Sequence, residues 1–126
     1  MGIIGGKDEQ PLYWVGQARK DLQAMPEQVQ DVFGYALWLA QQSRHHPQVK
    51  VLKGFGGAGV LEVVEDFQGH TWRAVYTIKL KDAVYVLHAF QKKSVSGKAT
   101  PKPEIDLITQ RLKAAQQHAE GTKNVS

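Results

Sequence analysis

The first forty residues contain one short apolar run followed by two helical patterns. Residues 12–15 form an apolar run that predicts a short strand. Residues 17–25 follow as a first helix and end at Pro26, which suits the first turn of a second helix over residues 26–42. That second segment carries apolar side chains at three-and-four spacing: Val29, Val32, Phe33, Ala36, Leu37 and Ala40. The pattern predicts a helical hairpin that packs against a sheet.

The middle of the chain has the composition of strands. Residues 59–64, 71–79 and 83–91 are rich in valine, tyrosine and other residues that favour extended structure. The connections, at residues 65–70 and 81–82, are short. Short connections between consecutive strands predict an antiparallel meander.

A last helix is predicted from Pro103, with Glu104 favourable in its first turn. Its apolar face would consist of Ile105, Ile108, Leu112 and Ala115. The order of elements predicts an α+β fold, a two-layer domain in which the helices gather on one face of a mainly antiparallel sheet. We expect residues 1–126 to form this single domain, with flexible tails at 1–11 and 120–126.

Composition limits the classes of function. The 126 residues are 42% hydrophobic and 22% charged, which suits one folded domain. The absence of cysteine excludes disulfides, thiolate nucleophiles and cysteine-built metal sites. The sequence shows neither a signal peptide nor a spanning apolar segment, so we expect a soluble, cytoplasmic protein without membrane partners.

Positive charge is concentrated in one part of the chain. The formal net charge is +4, and residues 79–102 contain one acid, Asp82, against Lys79, Lys81, Lys92, Lys93, Lys98 and Lys102. A concentrated basic strip favours a polyanionic partner through counterion release, whereas a solvated lysine-rich edge is the alternative. Charge alone leaves these two interpretations about equal.

Arg73 is the most informative residue of the predicted sheet. Alternation places it on one face with Val75, Thr77 and Lys79, and places Trp72, Ala74, Tyr76 and Ile78 on the other. An arginine in mid-sheet needs an anionic partner, either Glu62 or Glu65 of the neighbouring strand or a bound phosphate. Spacing alone slightly favours the ion pair.

The strand over residues 83–91 contains His88 and leads into a lysine pair. Alternation places His88 with Val84, Val86 and Phe90, opposite Tyr85, Leu87, Ala89 and Gln91. A lone histidine among apolar neighbours is more often a hydrogen-bonded core residue than a catalyst. Lys92 and Lys93 follow at the strand end, where they can surround a phosphate together with Arg73 without a metal.

Two other motifs lack the features of the sites that they suggest. The glycine-rich segment 52–59 has no Lys-Ser/Thr ending and no following helix, so a nucleotide-binding loop is not predicted. His45 and His46 are adjacent on a loop without nearby acids, so a metal site is not predicted either.

Four segments, in order along the chain, carry a resemblance to a known family. They are Leu52-Lys-Gly-Phe-Gly-Gly-Ala-Gly-Val-Leu-Glu62, Trp72-Arg-Ala-Val-Tyr76, Leu87-His-Ala-Phe-Gln-Lys-Lys93 and Thr100-Pro-Lys-Pro-Glu-Ile105. They resemble successive blocks of the phage Gp49-like family, in the HigB branch of the RelE/ParE toxin superfamily. The similarity extends over residues 13–119.

The resemblance implies the toxin of a type II toxin–antitoxin system. Such a protein is a metal-independent mRNA endoribonuclease (an mRNA interferase) without a cofactor, often acts on the ribosome, and inhibits translation. Its partner is a helix-turn-helix antitoxin of the HigA/Xre-like kind. The resemblance implies that Arg73 clamps the phosphate and that Lys93, with Lys92, stabilises charge or donates a proton.

The general base has four candidates, which are Tyr76, His88, Lys53 and Glu62. RNA-binding positions are expected at Lys53, Lys79, Gln91, Lys98 and Lys102. The chain departs from RelE in having acids on the strand 60–65, where RelE has lysines, and in lacking a tyrosine after Tyr85. Two alternatives therefore stay open: a non-catalytic RNA- or protein-binding module, and a gyrase inhibitor like ParE.

Overall fold

A computed structural model describes residues 9–92 and 100–125, the last four of these as backbone only. Its elements in chain order are β1 (Leu12–Trp14), α1 (Ala18–Gln23), α2 (Glu27–Gln41), β2 (Val49–Val51), a 3-10 turn (Gly56–Ala58), β3 (Val60–Phe67), β4 (His70–Leu80), β5 (Ala83–Lys92) and α3 (Lys102–Val125).

The strands form one five-stranded sheet in the order β1-β5-β4-β3-β2. β1 pairs with β5 in parallel, and the other neighbouring strands are antiparallel. The predicted α+β class is therefore confirmed, including the helical hairpin before the sheet and the helix after it. The short edge strand β2 adds to the three strands of the predicted meander.

Each face of the sheet carries its own hydrophobic core. The helical hairpin covers one face with residues that include Leu22, Val29 and Phe33, which pack on Ala74 and Tyr76. On the other face, α3 covers Val75, Tyr85 and Leu87 with Ile108, Leu112, Ala115 and Ala119. The layering thus differs from the expected one, in which all helices share a face. The physical reason is that this second face is apolar as well, so α3 is needed to remove it from water.

The first hairpin turn is tighter than the sequence predicts, whereas the second lies at the two residues predicted for it. Gln68 and Gly69 alone join β3 to β4, with φ of 51° and 81°, and Lys81 and Asp82 join β4 to β5, with φ of 52° and 54°. Two consecutive positive φ values suit a two-residue hairpin turn, because its twist matches that of the strands. The predicted loop over residues 65–70 is therefore mostly strand, and the longer β3 brings its carboxylates alongside β4.

A β-bulge in β5 changes the predicted orientation of His88. The register pairs Val75 with His88 but Tyr76 with Val86, so Leu87 has no partner of its own on β4. One extra residue shifts the side chains beyond it to the opposite face. The prediction that His88 shares a face with Val86 is wrong: Val86 packs under the helical hairpin, whereas His88 contacts α3.

Two further observations bear on the predicted organisation. Helix α3 continues through Gly121 to Val125, and the flexibility of residues 1–11 and 120–126 stays a prediction. Over the described ranges 9–92 and 100–125, no helix has both the length and the apolar character needed to cross a membrane.

Candidate functional site

An open cleft lies at the end of the sheet that α3 leaves uncovered. It has a volume of about 550 Å³ and lies between β2, the centre of β3 and β4, and the first turn of α3. Among the described residues, its polar lining consists of Lys50, Lys53, Glu62, Arg73 and Thr100, and its apolar lining consists of Val51, Leu52 and Ile105. The three-residue strand β2 and the beginning of α3 bound the cleft on two sides.

Arg73 forms the floor of this cleft. It lies in the middle of β4, opposite Val64 and Phe90, and only 4% of its side chain is exposed. Its Nη1 donates to Glu62 Oε1 at 2.7 Å and to Thr100 Oγ1 at 3.4 Å. Its Nε has no hydrogen-bond partner among the described residues. The predicted ion pair thus exists, and part of the guanidinium still has donor capacity for another anion.

The acid that pairs with Arg73 is Glu62, and the alternative, Glu65, is engaged elsewhere. Glu65 Oε1 accepts a hydrogen bond from Gln48 Nε2 at 2.7 Å. Glu62 is 3% exposed, and its other oxygen lies 4.0 Å from Lys50 Nζ. The carboxylate of Glu62 therefore has a cation near each of its oxygens, Arg73 at one and Lys50 at the other.

Lys92 is a second buried cation beside this pair. It is the last residue of β5, lies opposite Thr71, and is 4% exposed. No described residue accepts a hydrogen bond from its Nζ. Burial lowers the pKa of Lys92 below its ordinary value of 10.5, and Arg73 lowers it further, although Glu62 acts in the opposite direction. Two buried cations therefore lie near one carboxylate, and only Arg73 is bonded to it.

The balance of charge at the cleft favours an anion. Lys50, Lys53 and Arg73 line the cleft, and Lys92 lies close enough for the charges of Arg73 and Glu62 to shift its pKa, whereas Glu62 is the one acidic residue of the described lining. An uncompensated buried cation costs several kcal/mol unless it finds a counter-ion. A phosphate is well suited to this position, because guanidinium and ammonium donors both form charge-assisted hydrogen bonds with its oxygens.

Tyr76, a predicted candidate for the base, lies on the other face of the sheet. It is fully buried under the helical hairpin, and its hydroxyl has no hydrogen-bond partner in the described part of the chain. Burial raises the pKa of Tyr76 to about 12. The structure therefore separates Tyr76 from the cleft by the thickness of the sheet.

His88 belongs to a network that fastens α3 to β5. Its Nε2 lies 2.5 Å from Glu104 Oε1, and its Nδ1 lies 3.3 Å from Arg111 Nη1, which also donates to the carbonyl of Leu87 at 2.9 Å. Arginine can only donate, so the Nδ1 of His88 accepts and its Nε2–H donates to Glu104. The ring also stacks on Phe90 at 4.7 Å. Both ring nitrogens are thus occupied by structural contacts.

Replacing His88 by alanine should therefore destabilise the fold. We expect the free energy of unfolding to fall by about 2–4 kcal/mol, because the change removes a buried ring and leaves Glu104 and Arg111 without their partner. Urea denaturation would measure the change. The same substitution at the exposed His70 is the control and should change stability by less than about 0.5 kcal/mol. Equal effects in the two variants would contradict a structural role for His88.

The predicted RNA-binding lysines do not form one group. Lys53 lines the cleft. Lys79 lies near the other end of β4, where its aliphatic stem packs against Gly59, which has a φ of 69° and leaves no room for a Cβ. Lys102 is exposed and pairs with Asp106 at 3.0 Å.

Three other predicted positions have different outcomes. The amide Nε2 of Gln91 donates to His70 Nδ1 at 2.8 Å, and Gln91 is not among the cleft residues. Lys93, predicted as catalytic, and Lys98, predicted as RNA-binding, both lie outside the described residues. Their roles stay predictions.

Two residues of the cleft were missed by sequence reasoning. Lys50 lies on β2, whose Val-Lys-Val pattern is too short to predict a strand. Thr100 is part of a family-like segment, but nothing in the sequence places it against Arg73.

In the described part of the chain, no cluster of three or more histidine or acidic side chains could hold a metal ion.

The comparison with known families gives one match. The model of the family described as "Phage derived protein Gp49-like (DUF891)" matches residues 20–113. No curated protein and no solved structure matches the chain significantly. The matched range runs from the third residue of α1 to the middle of α3 and includes Glu62, Arg73 and Lys92. The resemblance of the four sequence segments is therefore confirmed.

Proposed function

Because this chain belongs to the Gp49-like family, which is a RelE/HigB-type, toxin-like family of phage-derived proteins, we propose that it is a toxin that cleaves mRNA. It would be the toxin of a type II toxin–antitoxin pair, active in the cytoplasm on ribosome-bound mRNA and held inactive by a helix-turn-helix antitoxin. The observation that carries the proposal is the open cleft with the buried Arg73 at its floor, together with the nearby buried Lys92, whose ammonium group has no hydrogen-bond partner among the described residues.

Binding of the RNA backbone follows from this excess of positive charge. A phosphate above Arg73 accepts from Nε, which has no partner in the described residues, and lies near the ammonium group of Lys92. Lys50 and Lys53 at the rim attract the neighbouring phosphates, in a manner that weakens with salt. The phosphate competes with Glu62 for the guanidinium, and this competition loosens the ion pair.

The loosened carboxylate supplies the base that the reaction requires. In our proposal Glu62 accepts the proton of the ribose 2′-hydroxyl, and the 2′-oxygen then attacks the adjacent phosphorus. Arg73 stabilises the additional negative charge on the phosphoryl oxygens. Lys92 donates a proton to the 5′-oxygen as the P–O5′ bond breaks. The products are a 2′,3′-cyclic phosphate and a 5′-hydroxyl end.

The lowered pKa of Lys92 predicts the alkaline side of the pH profile. Only the protonated ammonium can donate, so the rate of cleavage should decrease as the pH rises through this lowered pKa, below the ordinary lysine value of 10.5. Single-turnover rates between about pH 6 and 10 would measure it. In the Lys92→Arg variant the decrease should disappear, because arginine stays charged. An unchanged alkaline decrease in that variant would rule out Lys92 as its source.

The proposed activity is tested directly with the purified protein and programmed ribosomes. We expect new mRNA ends with 5′-hydroxyl groups in the presence of the protein, and none when the antitoxin is added. If new ends fail to form with ribosome-bound and with free mRNA, the nuclease is excluded. Inhibition of supercoiling in a purified gyrase reaction would instead support the ParE-like alternative.

A second candidate function is RNA binding without cleavage. One observation favours it: the described lining of the cleft contains no histidine or tyrosine, and its one carboxylate is already bonded to Arg73. Salt-dependent binding of RNA in the same experiment, without new ends, would support this alternative.

A further inference from the structure

A pair of exposed aromatic side chains lies on α2, away from the proposed cleavage site. Tyr35 and Trp38 are 52% and 43% exposed, one helical turn apart, and their rings are stacked at 6.0 Å with an angle of 16°. The ring of His46 meets Tyr35 edge-on at 5.7 Å. Large aromatic side chains at such exposure are unusual on a surface unless they bind something.

The aromatic cluster is continuous with the cleft. His46 leads directly into β2, and its carbonyl accepts a hydrogen bond from Val49 at 3.0 Å. β2 ends at Val51, which is 66% exposed and lines the cleft beside Lys50. The chain from His46 to Val51 spans at most about 18 Å. The exposed large hydrophobic residues of the described chain, Tyr35, Trp38 and Val51, therefore follow one path around the edge of the sheet.

The charge along this path has the sign that suits a nucleic acid. Arg44 and His45 are exposed next to the aromatic cluster, and Arg44 makes no ion pair with any described residue. Glu65 is an acid beside this path, where its carboxylate accepts a hydrogen bond from Gln48. Beyond it, Lys50 and Lys53 supply positive charge at the cleft. On α2, the acidic Asp31 lies one turn before Tyr35. The path of positive charge therefore ends at the aromatic pair on the side that is farther from the cleft.

We propose that Tyr35, Trp38 and His46 form a stacking platform for unpaired bases of the same RNA strand whose backbone occupies the cleft. Exposed aromatic faces beside cations are the arrangement with which proteins hold single-stranded nucleic acid without reading its sequence. The inference rests on the proposed function, since the RNA in the cleft is what continues along β2. A protein partner would suit the aromatic side chains, but it would not explain the exposed cations Arg44, Lys50 and Lys53 on the same side of the molecule as the path from the aromatic cluster to the cleft.

The test uses single-stranded RNA in which every 2′-hydroxyl is methylated, so that binding is measured without cleavage. Tyr35→Leu and Trp38→Leu should weaken binding of a 12-nucleotide strand by about 5- to 100-fold each, because each removes a stacking face. A 4-nucleotide strand, long enough only for the cleft, should bind these variants and the parent protein equally. Tyr35→Phe keeps the ring and should bind as the parent does.

Intrinsic fluorescence provides a second measurement, which reports on contact between the RNA and Trp38 and not on affinity alone. The 12-nucleotide strand should quench the emission of the parent protein, and most of this quenching should be lost in Trp38→Phe, which leaves Trp14 and Trp72 in place. Binding within twofold of the parent in both leucine variants, or equal quenching in Trp38→Phe, would overturn the platform. Loss of antitoxin binding in the leucine variants, with RNA binding retained, would overturn it in favour of a protein interface.

The two proposals fail in different ways. If Arg73-dependent cleavage occurs and the leucine variants bind the long strand normally, the platform is wrong and the nuclease stands. If the parent protein cleaves no RNA but binds the long strand through Trp38, the nuclease is wrong and the platform stands.

Discussion

Replacing Arg73 by glutamine is expected to reduce the rate of RNA cleavage by about 10²–10³-fold, the usual effect of removing one charged or preorganised donor from a transition state. The guanidinium lies at the floor of the cleft and is 4% exposed, so water cannot substitute for it. Glutamine keeps a polar side chain of part of the length of arginine without its charge. Growth of cells that express the variant, together with mapping of mRNA 5′ ends, would measure the loss.

Two matched variants separate charge from geometry in this experiment. Arg73→Lys retains the charge but not the planar fork, so we expect an intermediate rate. Lys20→Gln removes one exposed cation on α1, on the opposite face of the sheet, and should leave growth arrest and cleavage unchanged. Growth arrest that persists at full strength in Arg73→Gln would remove Arg73 from the proposed site.

Replacing Lys92 by methionine is expected to abolish most cleavage and, at the same time, to stabilise the fold. Methionine has a similar length and fills the same space, but it removes a buried ammonium group that has no described hydrogen-bond partner. We expect the free energy of unfolding at pH 7 to rise by about 1–3 kcal/mol. An exposed lysine offers the control, since Lys20→Met should change stability by no more than about 0.5 kcal/mol.

The pH dependence of stability distinguishes this effect from simple repacking. The pKa of Lys92 is lower in the folded state than the ordinary value of 10.5, so between these two values the unfolded chain binds more protons. The stability of the parent protein should therefore gain a contribution as the pH rises through that window, and Lys92→Met should lack it. Denaturant midpoints measured at several pH values would show the difference. A variant less stable than the parent at pH 7 would contradict the buried-cation interpretation.

Much of the fold follows from patterns that are local in the sequence. The three-and-four spacing of Val29, Phe33 and Leu37 defines a helix face without reference to the rest of the chain. Alternation along β4 predicts correctly that Arg73 and Tyr76 point to opposite faces, because the period of two is a property of the extended backbone. The family can be identified for the same reason, because the four segments that carry the resemblance are short stretches of consecutive residues.

The composition of the site could be predicted only in part. Arg73 and Lys92 follow from their strand positions and from the resemblance, and Glu62 was one of four candidates for the base. The bulge at Leu87 is not visible in the sequence, because it arises from how β5 pairs with β4. Because of this one extra residue, the side chain of His88 lies on the face covered by α3, where it contacts Glu104.

By itself, the sequence determined the α+β class, the family and the presence of an arginine that needs an anion, because each of these depends on neighbours along the chain. The tertiary structure decided which groups share the cleft. It places Lys50 and Thr100 beside Arg73, although they are far from it in sequence, and it moves Tyr76 behind the sheet. Such juxtapositions depend on strand register and on which face α3 covers, and both are settled by packing of the whole core.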